Sequence, residues 1–306
     1  MSGVAFDQIS WEKNYPRMAT RLGLIGRGKW GRNIEQTLLS LGEVSVIAIA
    51  RDEPLRRDLD GVLIASPSAT HAELALPYIQ AGIATFIEKP MATSVADARR
   101  IREAAKHSRA AVFVGHVQLF NPAFQASLQL LPALGTIRYV LFESANGNPR
   151  TDSSVLWDWL PHDLSMARAI FRDDPACVQA WSLTDTQNVQ AAVSRYQYGA
   201  ASLVSMMSWI SPVRCRQMTI SADRGTLIFN DRAAQKLSLH DKDGNTSHPR
   251  YDNELPLTNE LHAFLDLVRS HATDASHVVL GVAIAQAIQG AQESISNGGA
   301  AVEIRI

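Results

Sequence analysis

The run Arg21-Leu22-Gly23-Leu24-Ile25-Gly26-Arg27-Gly28-Lys29-Trp30-Gly31 decides the fold. Its first five residues are a short apolar stretch of the kind that forms a buried parallel strand, and its last six fit the spacing G-x-G-x-x-G. Beyond the loop, Ile34, Leu38, Leu39 and Leu41 recur at helical spacing. Glycines with this spacing mean little alone, but between a strand and a helix each has a physical task. Gly26 permits the tight turn, Gly28 lets backbone approach a pyrophosphate, and Gly31 allows close helix–strand contact. The helix start adds free N–H groups and a positive dipole end. The stretch therefore predicts a dinucleotide cradle, with Gly26, Gly28, Lys29, Trp30 and Gly31 on its cofactor side. A glycine-rich turn without a ligand is the alternative.

Working outward, Val44–Ala50, Gly61–Ser66, Ala84–Glu88 and Ala111–Gly115 read as further strands. Helical patterns lie at about His71–Ala81, stopped by Gly82, and Val95–Lys106. Strands alternating with helices predict a parallel α/β sheet. After about residue 118 the strand-like runs follow one another: Thr136–Ser144, Val178–Thr184, Gln190–Tyr198, Ala201–Trp209, Arg216–Ser221 and Thr226–Asn230. Turn signals fall at Tyr198-Gly199 and at Asp241–Gly244. Helical patterns occur at about Asp158–Phe171, Asn259–His271 and Val278–Ile295. This half predicts an α+β domain with a mostly antiparallel open sheet and helices on one face. The expected division is an N-terminal arm over 1–18, a Rossmann domain over 19–117 and a substrate-binding and oligomerisation domain over 118–306. Along the strand at 203–208, Leu203, Ser205 and Met207 alternate with Val204, Met206 and Ser208, and neither set names itself as the solvent face.

The adenosine end of a bound dinucleotide is read after the second strand, where an acid favours NAD and an arginine favours NADP. Here Ala50-Arg51-Asp52 stands, with Arg56 and Arg57 following. Arg51 favours NADP; Asp52 as the ribose ligand would favour NAD. Only Arg51–Asp60 separates this strand from the next, too little for a normal parallel crossover. The usual helix and third strand of that half are therefore expected to be shortened or missing.

Bulk properties exclude several classes. Lys plus Arg (29) nearly balance Asp plus Glu (30), so no basic excess exists to engage nucleic acid. No apolar run is long enough to span a membrane, and Met1–Arg17 has no signal-peptide core. Cys177 and Cys215 form neither a metal pattern nor a disulfide framework, and no metal site is expected. A cytoplasmic protein with reduced thiols is the expectation.

Four segments in order then carry a family resemblance: Gly26–Gly31; Ala65-Ser66-Pro67-Ser68-Ala69-Thr70-His71; Glu88-Lys89-Pro90; and Trp157-Asp158-Trp159-Leu160-Pro161-His162-Asp163. The chain resembles the family of glucose–fructose oxidoreductase and inositol dehydrogenase (Gfo/Idh/MocA) from about Arg21 to Ile306. The resemblance implies an NAD(P)-dependent oxidoreductase that moves hydride between nicotinamide and a secondary alcohol or ketone of a sugar, cyclitol or nucleotide sugar. It implies Lys89 as catalytic lysine with a cis Lys89–Pro90 bond, His162 as proton donor or acceptor, and Asp158 in support. It also implies a homodimer or homotetramer formed through the second domain's sheet.

The residues themselves allow these roles. Lys89 ends a predicted parallel strand, where ligands of open α/β sheets bind, and its charge favours a developing alkoxide. A surface lysine before a turn proline is the alternative. Asp158 and His162 share a helix face at four-residue spacing, and Pro161 is expected in the first turn of that helix. An N-cap aspartate with a structural histidine is the alternative. The resemblance also implies that Ser66, Pro67, Thr70, His71, Glu88 and Lys89 lie beside the nicotinamide and ribose; for the Ser66–His71 stretch a strand-to-helix turn with Thr70 as a cap is the alternative. His116, Gln118 and Asn146 are expected to join Lys89, Asp158 and His162 at the substrate, or else to be domain-joint polar residues. Asn148 and Arg150 lie in the same polar stretch as Asn146, and a plain loop is the commoner reading there. The family's arginine near Leu119 and its glycine between Asp158 and His162 are both missing. A non-catalytic NAD(P)-binding sensor of the same fold is the rival reading, motivated by the short adenosine side.

Overall fold

The structure, a computed structural model, describes residues 19–42, 44–150, 153–185, 187 and 189–305. The expected arm over 1–18 lies outside the described residues. In chain order the elements are β1 (Thr20–Ile25), α1 (Lys29–Leu41), β2 (Val44–Ile49), β3 (Gly61–Ile64), α2 (His71–Gln80), β4 (Ala84–Glu88), α3 (Val95–Ser108) and β5 (Val112–Gly115). There follow α4 (Pro122–Leu134), β6 (Ile137–Ala145), α5 (Val155–Phe171), β7 (Cys177–Ser182), β8 (Ala191–Tyr198), β9 (Ala201–Ser208), β10 (Cys215–Ala222), β11 (Gly225–Asn230), β12 (Leu237–Asp241), β13 (Thr246–Ser247), α6 (Pro256–Ser270), α7 (Ser276–Ser296) and β14 (Val302–Glu303).

The first five strands form one parallel sheet in the order β2-β1-β3-β4-β5. Being covered on both faces, its central strands are continuous apolar runs: Val62, Leu63 and Ile64 are fully buried. The short crossover is real. Between β2 and β3 the chain makes only turns and bends, crossing β1 without a helix. Ala50 and Glu53 close one tight turn there by backbone and side-chain hydrogen bonds.

The second sheet has nine strands in the order β13-β12-β11-β10-β6-β9-β8-β7-β14, antiparallel throughout except for the β6–β9 pair. Helices α4, α5 and α7 cover one face. The alternation in β9 resolves here: Leu203, Ser205 and Met207 are fully buried under α5, while Met206 is 47% exposed on the open face. Trp181, Val193 and Met206 line up across β7, β8 and β9 on that open face. Helix α6 returns to the parallel sheet, where Leu261, Phe264 and Val268 pack with Leu24, Ile34 and Phe86. Phe264 meets Phe86 and Phe113 edge-on at centroid distances of 5.5 and 5.9 Å.

One local expectation is corrected. Helix α5 starts at Val155, three residues before Asp158, so Pro161 sits in its second turn rather than its first. The missing proline N–H leaves the Trp157 carbonyl without its usual helical donor. The apolar Val155, Leu156 and Trp157, all buried, anchor the extra turn in the core. Helix α4 also has a start signal that the sequence reading passed over: Asn121 caps it from its side chain and Pro122 occupies its first position.

Candidate active site

The glycine loop has the shape of a cradle. Gly26 has φ +100, and a Cβ there would lie 2.5 Å from the backbone of Ala65 and Ser66. A Cβ on Gly31 would fall 1.9 Å from the Gly26 carbonyl oxygen. Gly28 differs, since a Cβ there meets nothing within 4 Å. The space in front of Gly28 is open, and it stands at the N-cap of α1, which has no side-chain cap. The first N–H groups of α1 are thus left for an anion. These features fit a dinucleotide pyrophosphate. On the adenosine side Arg51 is exposed and pairs with Glu73 at 3.3 Å, while Arg56 bonds Asp58 at 2.8 Å.

Next to the cradle lies a cavity of about 340 Å³, within the range for small-molecule sites. Trp30, Ser66, His71, Glu88, Lys89, Asp158 and His162 line it, seven residues singled out by sequence. The carboxyl ends of β3 and β4 supply Ser66 and Glu88-Lys89, and α5 supplies Asp158 and His162 from the other side. The Lys89–Pro90 peptide is cis. His71 is buried, with Nδ1 2.8 Å from the Pro90 carbonyl and Nε2 2.9 Å from the Ser66 carbonyl. It therefore ties the β3 loop to the Lys89–Pro90 turn, and burial pulls its pKa down. Thr70 turns inward, its Oγ1 donating to the Pro67 carbonyl at 2.8 Å.

Lys89 bridges the two halves. Its Nζ donates to the Asp158 backbone carbonyl at 2.8 Å and to Asp158 Oδ1 at 3.0 Å. Trp209 Nε1 holds Asp158 Oδ2 at 3.1 Å, and Arg150 reaches Oδ1 at 3.4 Å. Burial pushes the Asp158 pKa up, but Lys89, Arg150 and Trp209 together outweigh it and hold the group below its ordinary value. His162, one turn on, is buried with Nδ1 lacking a partner. Burial first, then the charges of Lys89 and Arg216, keep its pKa well below the usual value, so the ring is neutral near pH 7. Glu88 accepts from the Trp30 indole and, at 3.1 Å, from the Lys89 amide; burial raises its pKa to about 7.

Other expected residues lie elsewhere. His116 is buried outside the cavity lining with both ring nitrogens unpartnered, and burial lowers its pKa to about 3. Gln118 is buried in the turn before α4, where Asn121 Nδ2 approaches its side-chain oxygen at 3.4 Å. Asn146 shapes its own loop, accepting from the Asn148 amide at 3.0 Å. None of the three lines the cavity, whereas Ser68, Val117, Arg150, Ser153 and Trp157 do. Arg150 was visible in sequence only as part of a polar loop, and Trp209 only as the end of an apolar strand. Among the described residues no cluster of His, Cys, Asp or Glu is arranged to hold a metal, and no helix is long and apolar enough to cross a membrane.

The comparisons agree with this geometry. The model of an oxidoreductase family with an NAD-binding Rossmann fold, Gfo/Idh/MocA, matches residues 43–116. Inositol 2-dehydrogenase of Rhizobium meliloti (strain 1021) is 22% identical over 302 residues, covering 83% of this chain and 90% of its own length. UDP-N-acetylglucosamine 3-dehydrogenase of Acidithiobacillus ferrooxidans is 28% identical over 155 residues, covering 50% of this chain and 49% of its own. A solved structure of UDP-N-acetylglucosamine 3-dehydrogenase GnnA from Acidithiobacillus ferrooxidans shares the fold, with TM-score 0.81 at 20% identity over 90% of this chain and 98% of that one. The fold and cradle define a Rossmann-type oxidoreductase. Residues 43–116 match the Gfo/Idh/MocA family model, and over most of its length the chain is similar to sugar and cyclitol dehydrogenases.

Proposed function

We propose that this chain transfers hydride between a nicotinamide dinucleotide and a secondary alcohol or ketone of a sugar, cyclitol or nucleotide sugar. The observation that carries the reading is the Lys89–Asp158–His162 group, converging on one cavity from both halves beside an intact pyrophosphate cradle. The hydride acceptor or donor is what a nicotinamide supplies when bound. The residues around it handle the oxygen and its proton. Lys89 Nζ, already shared with Asp158, offers a further N–H to the substrate oxygen and stabilises negative charge there. His162 is neutral, and with Nδ1 turned into the interior its Nε2 is the nitrogen left to take the hydroxyl proton in oxidation. Asp158 fixes Lys89 and balances its charge. Glu88 steadies Trp30 and the Lys89 backbone.

Arg51 supports NADP as the preferred cofactor. It stands free of the core beside the open adenosine side, and a 2′-phosphate offers it a stronger partner than exposed Glu73. The open face of the second sheet, with Tyr139, Trp181 and Met206 each more than 40% exposed, supports association of copies through that face. The sensor reading lacks support from the site, because the proton-handling group is complete. The test is turnover of a polyol panel with NAD and NADP, followed at the nicotinamide absorbance, on wild type, Lys89→Met and His162→Asn. Loss of turnover in both variants with cofactor binding kept within about threefold is expected. Full activity in Lys89→Met, or binding without turnover of any polyol, would sink the proposal.

A further inference from the structure

Behind His162 the second sheet presents a cation that the family motifs do not include. Arg216 opens β10 on the sheet's inner face, in the row with buried Ser144, Met207 and Ala192. Its guanidinium lies over the ring of Trp159, 5.2 Å from the centroid. It is close enough to His162 to depress that ring's pKa, and it feels the charges of Asp163, Asp231 and Asp158. Yet among the described residues no hydrogen bond or ion pair engages its side chain.

The nearby carboxylates are committed elsewhere. Asp158 is paired with Lys89 at 3.0 Å, and Asp231 with Lys236 at 2.8 Å and with Asn121 at 3.1 Å. Asp163 takes its hydrogen bond from Ser205 and leaves Oδ1 without a partner, out of ion-pair reach of Arg216. A partly buried guanidinium with donors unused is costly unless something completes it. Its planar fork suits a carboxylate or phosphate better than a hydroxyl.

We propose that Arg216 is a specificity-determining residue that anchors an anionic group on the substrate, so that this enzyme acts on an acidic polyol, a sugar acid or sugar phosphate, rather than a neutral cyclitol. The inference rests on the dehydrogenase reading above and names the substrate class for the same site. The placement is chemically consistent. Trp159 and His162 are neighbours on α5, with ring centroids 6.5 Å apart. In the proposed pose the hydroxyl meets His162 at the cavity wall, and the far substituent reaches past that ring to the Trp159–Arg216 corner behind it. The Trp159 ring holds the Arg216 guanidinium in place, 5.2 Å from its centroid.

The experiment compares three probes, myo-inositol, glucuronate and glucose 6-phosphate, on the cofactor-loaded protein. Wild type, Arg216→Gln and Arg216→Lys are measured by calorimetric binding, initial rates and tryptophan fluorescence. An anchoring charge-assisted pair predicts that wild type binds glucuronate or glucose 6-phosphate ~10- to 100-fold more tightly than myo-inositol. Arg216→Gln erases most of that preference and its fluorescence change, leaves myo-inositol binding within about threefold, and Arg216→Lys recovers part. Whichever anion is preferred identifies the carboxylate or the phosphate as the group. Equal or tighter myo-inositol binding in wild type, or an equal loss for all three probes in Arg216→Gln, would overturn the inference. Where Arg216→Gln does not fold, the wild-type ranking and Arg216→Lys decide. Turnover of myo-inositol alone sinks the anionic substrate and leaves the dehydrogenase reading intact; unaltered activity in Lys89→Met sinks the latter separately.

Discussion

Lys89→Met should weaken the fold as well as the chemistry, and the size of the effect follows from the ion pair. Lys89 and Asp158 side chains are only 16% and 14% exposed, and Nζ lies 3.0 Å from Oδ1. At that separation the gross attraction is about 5 kcal/mol at an effective dielectric of ~20, and desolvating both charges cancels much of it. Removing one partner of a fully buried pair costs ~3–5 kcal/mol because the other is stranded. Here Asp158 keeps Trp209 at 3.1 Å and Arg150 at 3.4 Å, so the expected loss is smaller, ~1–3 kcal/mol. Lys89→Met/Asp158→Asn removes the stranded charge and should recover about half of it.

The assay is urea unfolding of wild type, both single variants and the double variant at pH 7, giving a double-mutant cycle. A coupling of ~1 kcal/mol or more is expected, and it should shrink at pH 3. The sign follows from linkage. Asp158 has a folded pKa below its unfolded value, so its contribution is present above the unfolded pKa and is lost as pH falls through the folded one. Additive single-variant effects at pH 7 would refute the reasoning that one buried ion pair joins the two halves.

Three further outcomes follow from the same geometry. Gly28→Ala should keep wild-type thermal stability while weakening dinucleotide binding ~10-fold or more, because its Cβ enters only open space, whereas Gly31→Ala should cost ~2 kcal/mol or more, because its Cβ lands 1.9 Å from the Gly26 carbonyl oxygen. Calorimetry on both variants checks this, and normal NAD affinity in Gly28→Ala would contradict it. Arg51→Ala should reduce NADP affinity ~10-fold with little change for NAD; an equal reduction for both would remove Arg51 as the determinant. His116, with its folded pKa near 3, stays neutral while the unfolded ring protonates below ~6.5, so stability should fall by ~2 kcal/mol between pH 7 and 5, and His116→Gln should flatten that slope in pH-dependent melting.

What the sequence disclosed depended on whether the signal was local. The cradle was legible because strand, glycines and helix are contiguous, and the missing crossover was legible because ten residues cannot make one. Asp158 and His162 were legible as a pair because helical spacing sets a common face. Their position in the helix was not, since Pro161 looks like a first-turn proline until the buried Val155, Leu156 and Trp157 extend the helix ahead of it. His116 and Gln118 looked functional by type, but burial puts them behind the cavity wall. Trp209 meets Asp158 only because distant strands pair, Arg150 reaches the cavity from a polar loop, and no local pattern marks either. The return of α6 to the parallel sheet was hidden for the same reason, because Phe264 and Phe86 are far apart in sequence.

The short crossover limits what the missing segment can affect. Strand β2 lies at the edge of the parallel sheet, with β1 between it and the rest, so deleting the helix and strand beyond it trims only the adenosine side. Every group proposed for chemistry sits at the ends of β3 and β4 or on α5, and these are bound to one another through His71 and the Lys89–Asp158 pair. The cradle and the cavity are thus built independently of the trimmed edge, where Arg51 is exposed. On this account cofactor choice is adjustable at Arg51 without disturbing Lys89 or His162, and substrate choice is adjustable at Arg216 without disturbing the cradle.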